Sequence, residues 1–587
     1  MAKSDVRIDI LGTSFTISAG EEPEYLQYLL EKYRRTVENV RQKSGLKDPL
    51  KTAILTGFLL CDDLEKTSAL LAGDPGKTSR GTESKAGEAE KLTLDLISRL
   101  DELDLLAADN TEDDFVKEPE SETYARGPTE DESAQSITGP TAETNLNRKI
   151  FFLKNSIKNY DWGSAEWIPS LLGQKNISRV PWAEMWMGVN PLGPSTLIPP
   201  SPGASSKGEG TLLSELISMD TEAVLGKDLA ERYGKLPFLF KVEAAAKPLS
   251  IQAHPNSIEA REGFDRENRE GIPLDAPNRN YRDPSHKPEI ICALGPFAAL
   301  CGFRAVGDIL GLFGEFLQGF PPPGQAEAGR ALKTCLETAV RELKQDCDEP
   351  HKAFLRALYD MGRQPLEALA PFIKANAAML TKDYPEHRDE WQLCSYLAGL
   401  FPNDSGILAP LYLNIIELAP GEAMFLPAGV FHAYIHGLGI ELMADSDSVL
   451  RGGLSSKHID PEELFRILNF SEYNPEIYQV PQPAPELYTF PAPASEFALS
   501  VLHSSGEDLI YPETGPSIVL LTQGSAKICL QGNGSFKSGD TEAETGEEIT
   551  IEKGQSIFIS AGTMHIVFRG AFTAYAASAG KMPGAHS

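Results

Sequence analysis

One spacing of turn residues and a histidine occurs twice in the last third of the chain. The first copy, G-x5-P-x-G-x2-H, begins at Gly421 and ends at His432. The second begins at Gly554 and ends at His565, with Ser560 in place of the proline. In such a spacing the first glycine turns a hairpin and the next two turn residues shape the following turn, so the histidine enters a barrel. The repeat therefore predicts two β-barrels.

A set of metal-ligand side chains accompanies the first copy. Gln252 and His254 are two residues apart in an apolar strand pattern, so they share one face. Glu289 begins a second apolar strand, and His432 ends the first copy of the motif. Two imidazoles, a carboxylate and an amide oxygen suit Zn²⁺ with one position open, although manganese, iron and cobalt also fit. No comparable pair precedes His565, so we expect the second barrel to lack a metal.

The length of 587 residues is too great for one core, and patterning divides the chain. Alternating apolar residues over 5–18 predict a hairpin, and apolar spacings of three and four then predict helices. Eleven acidic residues between 109 and 143 predict a disordered linker. The expected parts are a hairpin-plus-helices module at 1–108, the linker at 109–148, a metal-binding barrel at 149–304 and 401–470, a helical insert at 305–400, and a second barrel at 471–587.

The expected fold class is therefore mainly β with α. Two jelly-roll barrels carry a helical insert and follow a small α+β module and a disordered linker.

Seven motifs in the same order resemble the type I mannose-6-phosphate isomerases, a zinc-dependent cupin family, over about residues 150–580. They are N-Y-D-W-G-S at 159–164, A-E-M-W-M-G at 183–188, P-L-S-I-Q-A-H-P-N at 248–256, H-K-P-E at 286–289, C-G-F-R at 301–304, F-L-P-A-G-V-F-H-A-Y at 425–434, and E-L-M-A-D-S-D-S-V-L-R-G-G-L-S-S-K at 441–457. The resemblance implies interconversion of mannose 6-phosphate and fructose 6-phosphate. It also implies one zinc ion per chain, bound by Gln252, His254, Glu289 and His432. The Arg-rich run at 261–282 is longer than we expect in this family, and we expect it to project as a loop.

Aldose–ketose isomerisation needs a base near C1 and C2 and positive charge for the enediolate oxygen. Arg451 is the leading candidate for stabilising that charge, because its guanidinium stays protonated. Lys287 and Glu441 are equal candidates for the base, and His286 is a further rival.

Four more residues are candidates for holding the substrate. Trp162 is expected to form a wall of the sugar pocket. Lys247 and Lys457 are candidates for binding the phosphate group. Tyr434 matches a family position close to the substrate.

The N-terminal segment resembles the bacterial cell-division protein ZapA over residues 5–72. The resemblance rests on the pattern V-x-I-x-I-L-G-x-x-F-x-I at 6–17 and on the following helix pattern. It implies self-association through residues 1–108. A generic dimerising module and contact with a division filament both remain open, because D-P-G at 74–76 interrupts the coiled coil typical of that family.

The net charge of −30 argues against sequence-independent binding to nucleic acid and against anionic membrane surfaces. The seven cysteines lack metal-site spacing, and no apolar run approaches membrane-spanning length, so we expect a cytoplasmic protein. Two other functions compete with the isomerase. One is an iron-dependent cupin oxygenase, which the glutamine at 252 disfavours. The other is an inactive scaffold, which the filled motif positions disfavour.

Overall fold

The computed structural model describes residues 4–10, 13–19, 37, 149–198, 210–320, 327–345, 347–512, 515–530, 548–563 and 566–580. The helices expected up to residue 108, the acidic linker and His565 lie outside these residues. The chain forms two units, 1–137 and 138–587, which are described separately.

The described part of the first unit is a β-hairpin. Strands β1 (Ser4–Ile10) and β2 (Thr13–Ala19) pair antiparallel, with Val6 opposite Ile17 and Ile8 opposite Phe15. This confirms the hairpin predicted from the alternating residues.

The second unit contains two large antiparallel sheets. The strands of sheet I are β4 (Ser156–Lys158), β5 (Glu184–Met187), β7 (Phe238–Ala245), β8 (Ile251–Ala253), β9 (Glu289–Ala293), β10 (Phe297–Phe303), β11 (Leu413–Leu418), β12 (Ala423–Leu426), β13 (His432–Ala444), β14 (Leu450–Gly453) and β15 (Ile477–Tyr478). The strands of sheet II are β3 (Ile150–Lys154), β6 (Thr196–Ile198), β16 (Leu487–Thr489), β17 (Ala498–Ser505), β18 (Leu509–Tyr511), β19 (Ser517–Leu530), β20 (Glu548–Glu552), β21 (Ser556–Ile559), β22 (Ile566–Arg569) and β23 (Ala571–Ser578).

Each sheet is organised around one long strand. Strand β13 pairs with β7 and β9 along its second half and with β8 and β10 along its first half. Strand β19 pairs in the same way with β21 and β23, and then with β20 and β22. The repeated arrangement agrees with the repeated turn motif, and the mainly β fold with helices is confirmed. Strand β3 comes before the first strand of sheet I and β6 follows β5, but both pair within sheet II.

Helices occupy the connections between strands. They are α1 (Trp167–Leu171), α2 (Leu213–Met219), α3 (Thr221–Leu225), α4 (Lys227–Arg232), α5 (Ser257–Arg269), α6 (Val306–Gln318), α7 (Glu327–Leu343), α8 (Pro350–Tyr359), α9 (Arg363–Asp383), α10 (Arg388–Leu400), α11 (Pro461–Ile467) and the 3-10 turns Pro385–His387 and Ser405–Leu411. Helices α6 to α10 pack buried aromatic side chains together, including Phe316 against Trp391, and share one core with Phe431, the residue just before β13. Within the described ranges, no helix is both long and apolar enough to span a membrane.

Helix α5 corrects the loop expected in the Arg-rich run. The Asn256 side chain accepts hydrogen bonds from the backbone N–H groups of Ile258 and Glu259, and the Glu259 carboxylate accepts one from the Asn256 N–H. This reciprocal capping box starts a helix. Later in the run, the buried Arg279 donates a hydrogen bond of 2.6 Å to the Tyr281 carbonyl oxygen. The run therefore folds back onto the protein, and the expectation of a projecting loop was wrong.

The turn that leads to His432 depends on a glycine. Gly429 has φ +77°, its N–H donates 2.8 Å to the His254 carbonyl, and an added Cβ would lie 2.8 Å from the Ile467 carbonyl oxygen. Gly421 also has a positive φ, +87°, but an added Cβ there would meet nothing within 4 Å.

We predict that Gly429→Ala lowers the free energy of unfolding more than Gly421→Ala does. Both changes carry the left-handed backbone cost of about 1–2 kcal/mol, and only the first adds a steric clash. Denaturant unfolding of the two variants measures the difference. Equal losses would contradict this account of the turn.

Candidate metal centre and active-site cavity

Four strands of sheet I bring distant parts of the chain to one place. His432, the first residue of β13, is paired with Gln252 in β8. Gln252 is also paired with Arg451 in β14. Glu289, the first residue of β9, lies opposite Met443 of β13. The predicted ligands therefore meet at the ends of neighbouring strands, although they come from segments up to 180 residues apart.

Three of the predicted ligands form a buried cluster. His254 Nε2 lies 3.4 Å from Glu289 Oε1, and His432 Nε2 lies 3.5 Å from Glu289 Oε2. All three side chains are at most 2% exposed. Their ligand atoms lie within 4.8 Å of one another, close enough to surround one ion.

Hydrogen bonds to the backbone orient both imidazoles. His254 Nδ1 lies 3.0 Å from the Ser448 carbonyl oxygen, and His432 Nδ1 lies 2.9 Å from the Val430 carbonyl oxygen. A carbonyl oxygen only accepts, so each Nδ1 carries the proton and each Nε2 presents a lone pair. Neither Nε2 has a hydrogen-bond partner in the described part of the chain. Lone pairs facing a carboxylate across a dry space need a cation between them, as in a metal site.

The protonation states also suit a metal ion. Burial, followed by the nearby Lys287 ammonium, lowers the pKa of His254 to about 4, so its imidazole is neutral at pH 7. Burial alone would raise the pKa of Glu289, but Lys287 at 2.9 Å and the two histidines outweigh it and hold this pKa well below its usual value. Neutral imidazoles and an ionised carboxylate are the forms that bind divalent metals.

The cluster opens into a cavity of about 1110 Å³. Gln252 lies on the cavity wall, where its amide oxygen could complete the ligand set. Most of the other predicted site residues line the same cavity: Trp162, Lys247, Lys287, Glu289, Tyr434, Glu441, Arg451 and Lys457.

A β-bulge in β13 places Tyr434 and Glu441 on the same side. Tyr434 is paired with Ala299, but His436 is paired with Ala298, so the register shifts by one residue between them. Without the bulge, an even-numbered and an odd-numbered residue of one strand would face opposite sides. The shift therefore brings Glu441 into the cavity already lined by Tyr434.

His286 is not brought into this cavity. Its Nε2 lies 3.0 Å from Glu496 Oε1, and among the described residues the cavity lining includes Lys287 but not His286. Adjacent residues of an extended chain point to opposite sides, so the inward position of Lys287 turns His286 outward. The structure thus gives no support to His286 as a proton-transfer residue.

Four cations that line the cavity, Lys247 among them, have no carboxylate partner among the described residues. Arg451, Lys457 and Arg282 form no salt bridge with any described residue. Burial, followed by Arg282, lowers the pKa of Arg451, and burial, followed by Arg451, lowers the pKa of Lys457. Mutual repulsion of this kind favours binding of an anion. Arg282 was missed by sequence reasoning because we expected its segment to project as a loop.

A group of buried charges in β7 and its neighbours was also missed. Lys241 Nζ lies 2.8 Å from Glu441 Oε2 and 3.9 Å from Glu184 Oε1. Burial opposes the Lys241 charge, but its carboxylate neighbours outweigh burial and hold the pKa of Lys241 well above its usual value. The available signal was the alternation of Lys241 and Glu243 with apolar residues in a strand that is otherwise hydrophobic.

A second group, Glu315, Glu386 and His387, could also surround an ion. However, His387 Nδ1 lies 3.0 Å from both Glu315 oxygens, so an ordinary ion pair accounts for this group. It provides a control for the metal centre.

Comparison with known proteins relates the chain to one enzyme family. Residues 150–306 match the model of the phosphomannose isomerase type I catalytic domain, and residues 6–104 match that of cell division protein ZapA. The chain is 36% identical over 422 residues to a mannose-6-phosphate isomerase of Escherichia coli, covering 71% of this chain and 96% of that protein. It is 37% identical over 415 residues to the enzyme of Salmonella typhimurium, covering 70% and 94%.

Solved structures agree with these relatives. A Salmonella typhimurium mannose 6-phosphate isomerase bound to fructose 6-phosphate and zinc superimposes with a TM-score of 0.61 and 31% identity, covering 74% of this chain and all of that one. A zinc-bound mannose 6-phosphate isomerase superimposes with the same TM-score at 30% identity.

We predict that His254→Ala and His432→Ala each remove most of the bound zinc. Each of these two variants lacks one of the two nitrogen ligands of the zinc ion. The control variant His387→Ala should keep one zinc per chain. Elemental analysis of purified, dialysed protein measures the content. Zinc lost with the His387 variant, and retained with the other two, would contradict this assignment.

Proposed function

The chain belongs to the type I phosphomannose isomerase family, and on this premise we propose that its cavity interconverts D-mannose 6-phosphate and D-fructose 6-phosphate. One observation carries the proposal. A cluster that fits a zinc ion borders, through Glu289, the cavity that is also lined by a group of cations able to bind a phosphate.

One zinc ion per chain is proposed to be held by Gln252, His254, Glu289 and His432. When bound, zinc orients and polarises the oxygens of the substrate at C1 and C2. The Lys287 ammonium lies 2.9 Å from the Glu289 carboxylate, so its positive charge balances the negative charge of this ligand when the metal binds or leaves.

Glu441 is the proposed base that moves the proton between C1 and C2. Its side chain is buried and lines the cavity, and Lys241 Nζ lies 2.8 Å from its Oε2. Lys287 was an equal candidate from sequence, but its amino group is paired with Glu289 at 2.9 Å, and the ammonium form of such a pair has no lone pair to accept a proton.

Arg451 is the proposed stabiliser of the enediolate charge. It lies on β14 beside Gln252, so its guanidinium enters the cavity close to the metal ligands. The absence of a carboxylate partner among the described residues leaves its charge available to the substrate.

The remaining lining residues are proposed to hold the sugar phosphate. Lys457, Lys247 and Arg282 supply positive charge for the phosphate group. Trp162, whose ring centroid lies 5.6 Å from that of Tyr160, forms an aromatic wall. Tyr434, in β13, adds a buried hydroxyl group to the cavity.

The division of the chain into domains is proposed as expected from sequence. The catalytic barrel comprises 149–304 and 401–470, the helical insert 305–400, and the second barrel, without metal, 471–587. The positions of helices α6 to α10 support the insert.

We also place the enzyme in the cytoplasm, because the six described cysteines are all free thiols.

The N-terminal segment is proposed to make the enzyme self-associate. The match to the ZapA model over residues 6–104 and the β1–β2 hairpin support this. Contact with a division filament is a second proposal, supported by the same match alone.

We predict that the purified protein converts mannose 6-phosphate to fructose 6-phosphate and loses this activity on treatment with a chelator. Zinc should restore it, because the apo site lacks the group that polarises the substrate. A coupled spectrophotometric assay measures the rate. Full activity in the chelated protein, or none in the zinc-loaded protein, would sink the proposal.

We predict different defects for Glu441→Gln and Lys287→Met. The first should lower kcat by about 10²–10⁴-fold with zinc retained, as expected for a lost general base. The second should chiefly weaken zinc binding and recover activity in excess zinc. If Glu441→Gln keeps the wild-type kcat, Glu441 is not the base.

We predict that the full chain forms an oligomer that deletion of residues 1–108 reduces in size. Light scattering coupled to size exclusion gives both masses. A truncated protein that is active and has the same assembly state as the full chain argues against an association role for this segment.

A further inference from the structure

Glu243 is a buried acidic residue that none of the proposed steps uses. It lies in the middle of β7, is 1% exposed, and lines the cavity together with Lys241. Across β7 it is paired with Gly439 of β13 on one side and with Glu184 of β5 on the other. Gly439 has no side chain, and the space that a Cβ there would enter is occupied by the Ile291 side chain, with Cδ1 at 2.8 Å, which offers Glu243 no hydrogen-bonding group.

Among the described residues, Lys241 is the one ammonium group that acts on Glu243, and other carboxylates already share it. Lys241 Nζ lies 2.8 Å from Glu441 and 3.9 Å from Glu184. Glu184 also accepts a hydrogen bond of 2.7 Å from Trp186 Nε1. Glu243 Oε2 is buried and has no hydrogen-bond partner among the described residues. Glu243 is thus the one carboxyl group of this cluster left with an unused polar atom.

The surroundings of Glu243 oppose a negative charge on its carboxyl group. The groups that face it are Glu184 from β5, Glu441 and Tyr434 from β13, Glu289 from β9, Tyr160 before β5, and Lys241 on its own strand. Burial, followed by the Glu184 and Glu441 carboxylates, raises the pKa of Glu243 well above its usual range. This raised pKa favours the carboxylic acid form of Glu243, which can donate a hydrogen bond as well as accept one.

An unpartnered carboxyl group at this position weakens the fold. A buried polar atom without a partner loses its hydrogen bonds to water and gains none in return. Leu239 and Ala245 lie on the same face of β7 as Glu243 and are apolar and fully buried, so a leucine at position 243 would fit the strand. Active sites commonly retain residues that cost stability because they bind substrate.

We propose that Glu243 contacts the sugar directly and donates a hydrogen bond from its carboxyl group to a hydroxyl group of the substrate. This inference rests on the proposed isomerase function and adds a substrate-binding residue to it. A hydroxyl that enters the cavity beside the Lys241–Glu441 pair supplies the partner that Glu243 Oε2 lacks. The contact favours sugars whose stereochemistry presents a hydroxyl at this place.

The test compares Glu243→Leu with Glu243→Gln in steady-state assays with mannose 6-phosphate. The leucine variant should raise KM about tenfold, retain its zinc and melt at a higher temperature than the wild type. The glutamine variant keeps a donor and an acceptor without charge, so its KM should stay within about threefold of the wild-type value.

Glu390→Gln is the matched control. Glu390 is also a buried carboxylate, but it is paired with Arg304 at 2.9 Å and lies outside the cavity lining. This variant should melt at a lower temperature with KM unchanged, so it reports what the loss of a buried glutamate that has a partner does by itself.

The outcomes separate this inference from the isomerase assignment. An inactive wild-type protein contradicts the proposed function. An active wild type with a Glu243→Leu variant of unchanged KM overturns the role of Glu243 alone. A leucine variant that is less stable or does not fold, or a glutamine variant as impaired as the leucine variant, also overturns it.

Discussion

The hydrogen bonds from two imidazoles to backbone carbonyls are the constraint on which the site depends. They fix the proton on Nδ1 of His254 and His432 and turn both Nε2 lone pairs toward Glu289. The carbonyls belong to Val430, in the turn before β13, and to Ser448, before β14. The backbone of sheet I therefore sets the tautomers, and partners of this kind typically change metal affinity by about 10–100-fold when lost.

The buried charged groups around the metal ligands differ in whether they have a partner of opposite charge. Lys287 neutralises Glu289 beside the metal ligands, and Lys241 neutralises Glu441 further along the strands. Arg451, Lys457 and Arg282 have no such partner among the described residues, so they are free to meet a phosphate and a developing oxyanion. Glu243 is the opposite exception, a carboxyl group in excess of the available cations. Both exceptions lie in the cavity, where substrate groups can complement them.

The sequence predicted the parts of the fold that depend on local turn chemistry. The repeated glycine spacing led to two sheets with equivalent long strands, and same-face pairs such as Gln252 and His254 led to the metal cluster. Features that depend on irregular geometry were not predictable. The bulge before His436 changes which side of the sheet the later side chains of β13 point to. Without knowledge of this bulge, Glu441 could not be placed on the same side as Tyr434. The position of Arg282 in the cavity depends on how a long connection folds back onto the sheet. So does the orientation of Lys287, which points into the cavity where His286 does not. The spacing of apolar residues in the sequence does not encode how such connections fold.

The central claim is that one metal ion lies among Gln252, His254, Glu289 and His432 and serves the cavity beside them. Anomalous diffraction at the zinc absorption edge, from crystals of the zinc-loaded protein with fructose 6-phosphate, tests it most directly. The account predicts a single zinc peak per chain, about 2.0–2.2 Å from the two Nε2 atoms and a Glu289 oxygen, with the sugar in the same cavity. A zinc peak elsewhere, such as at His387, or a sugar bound away from this centre, would contradict it.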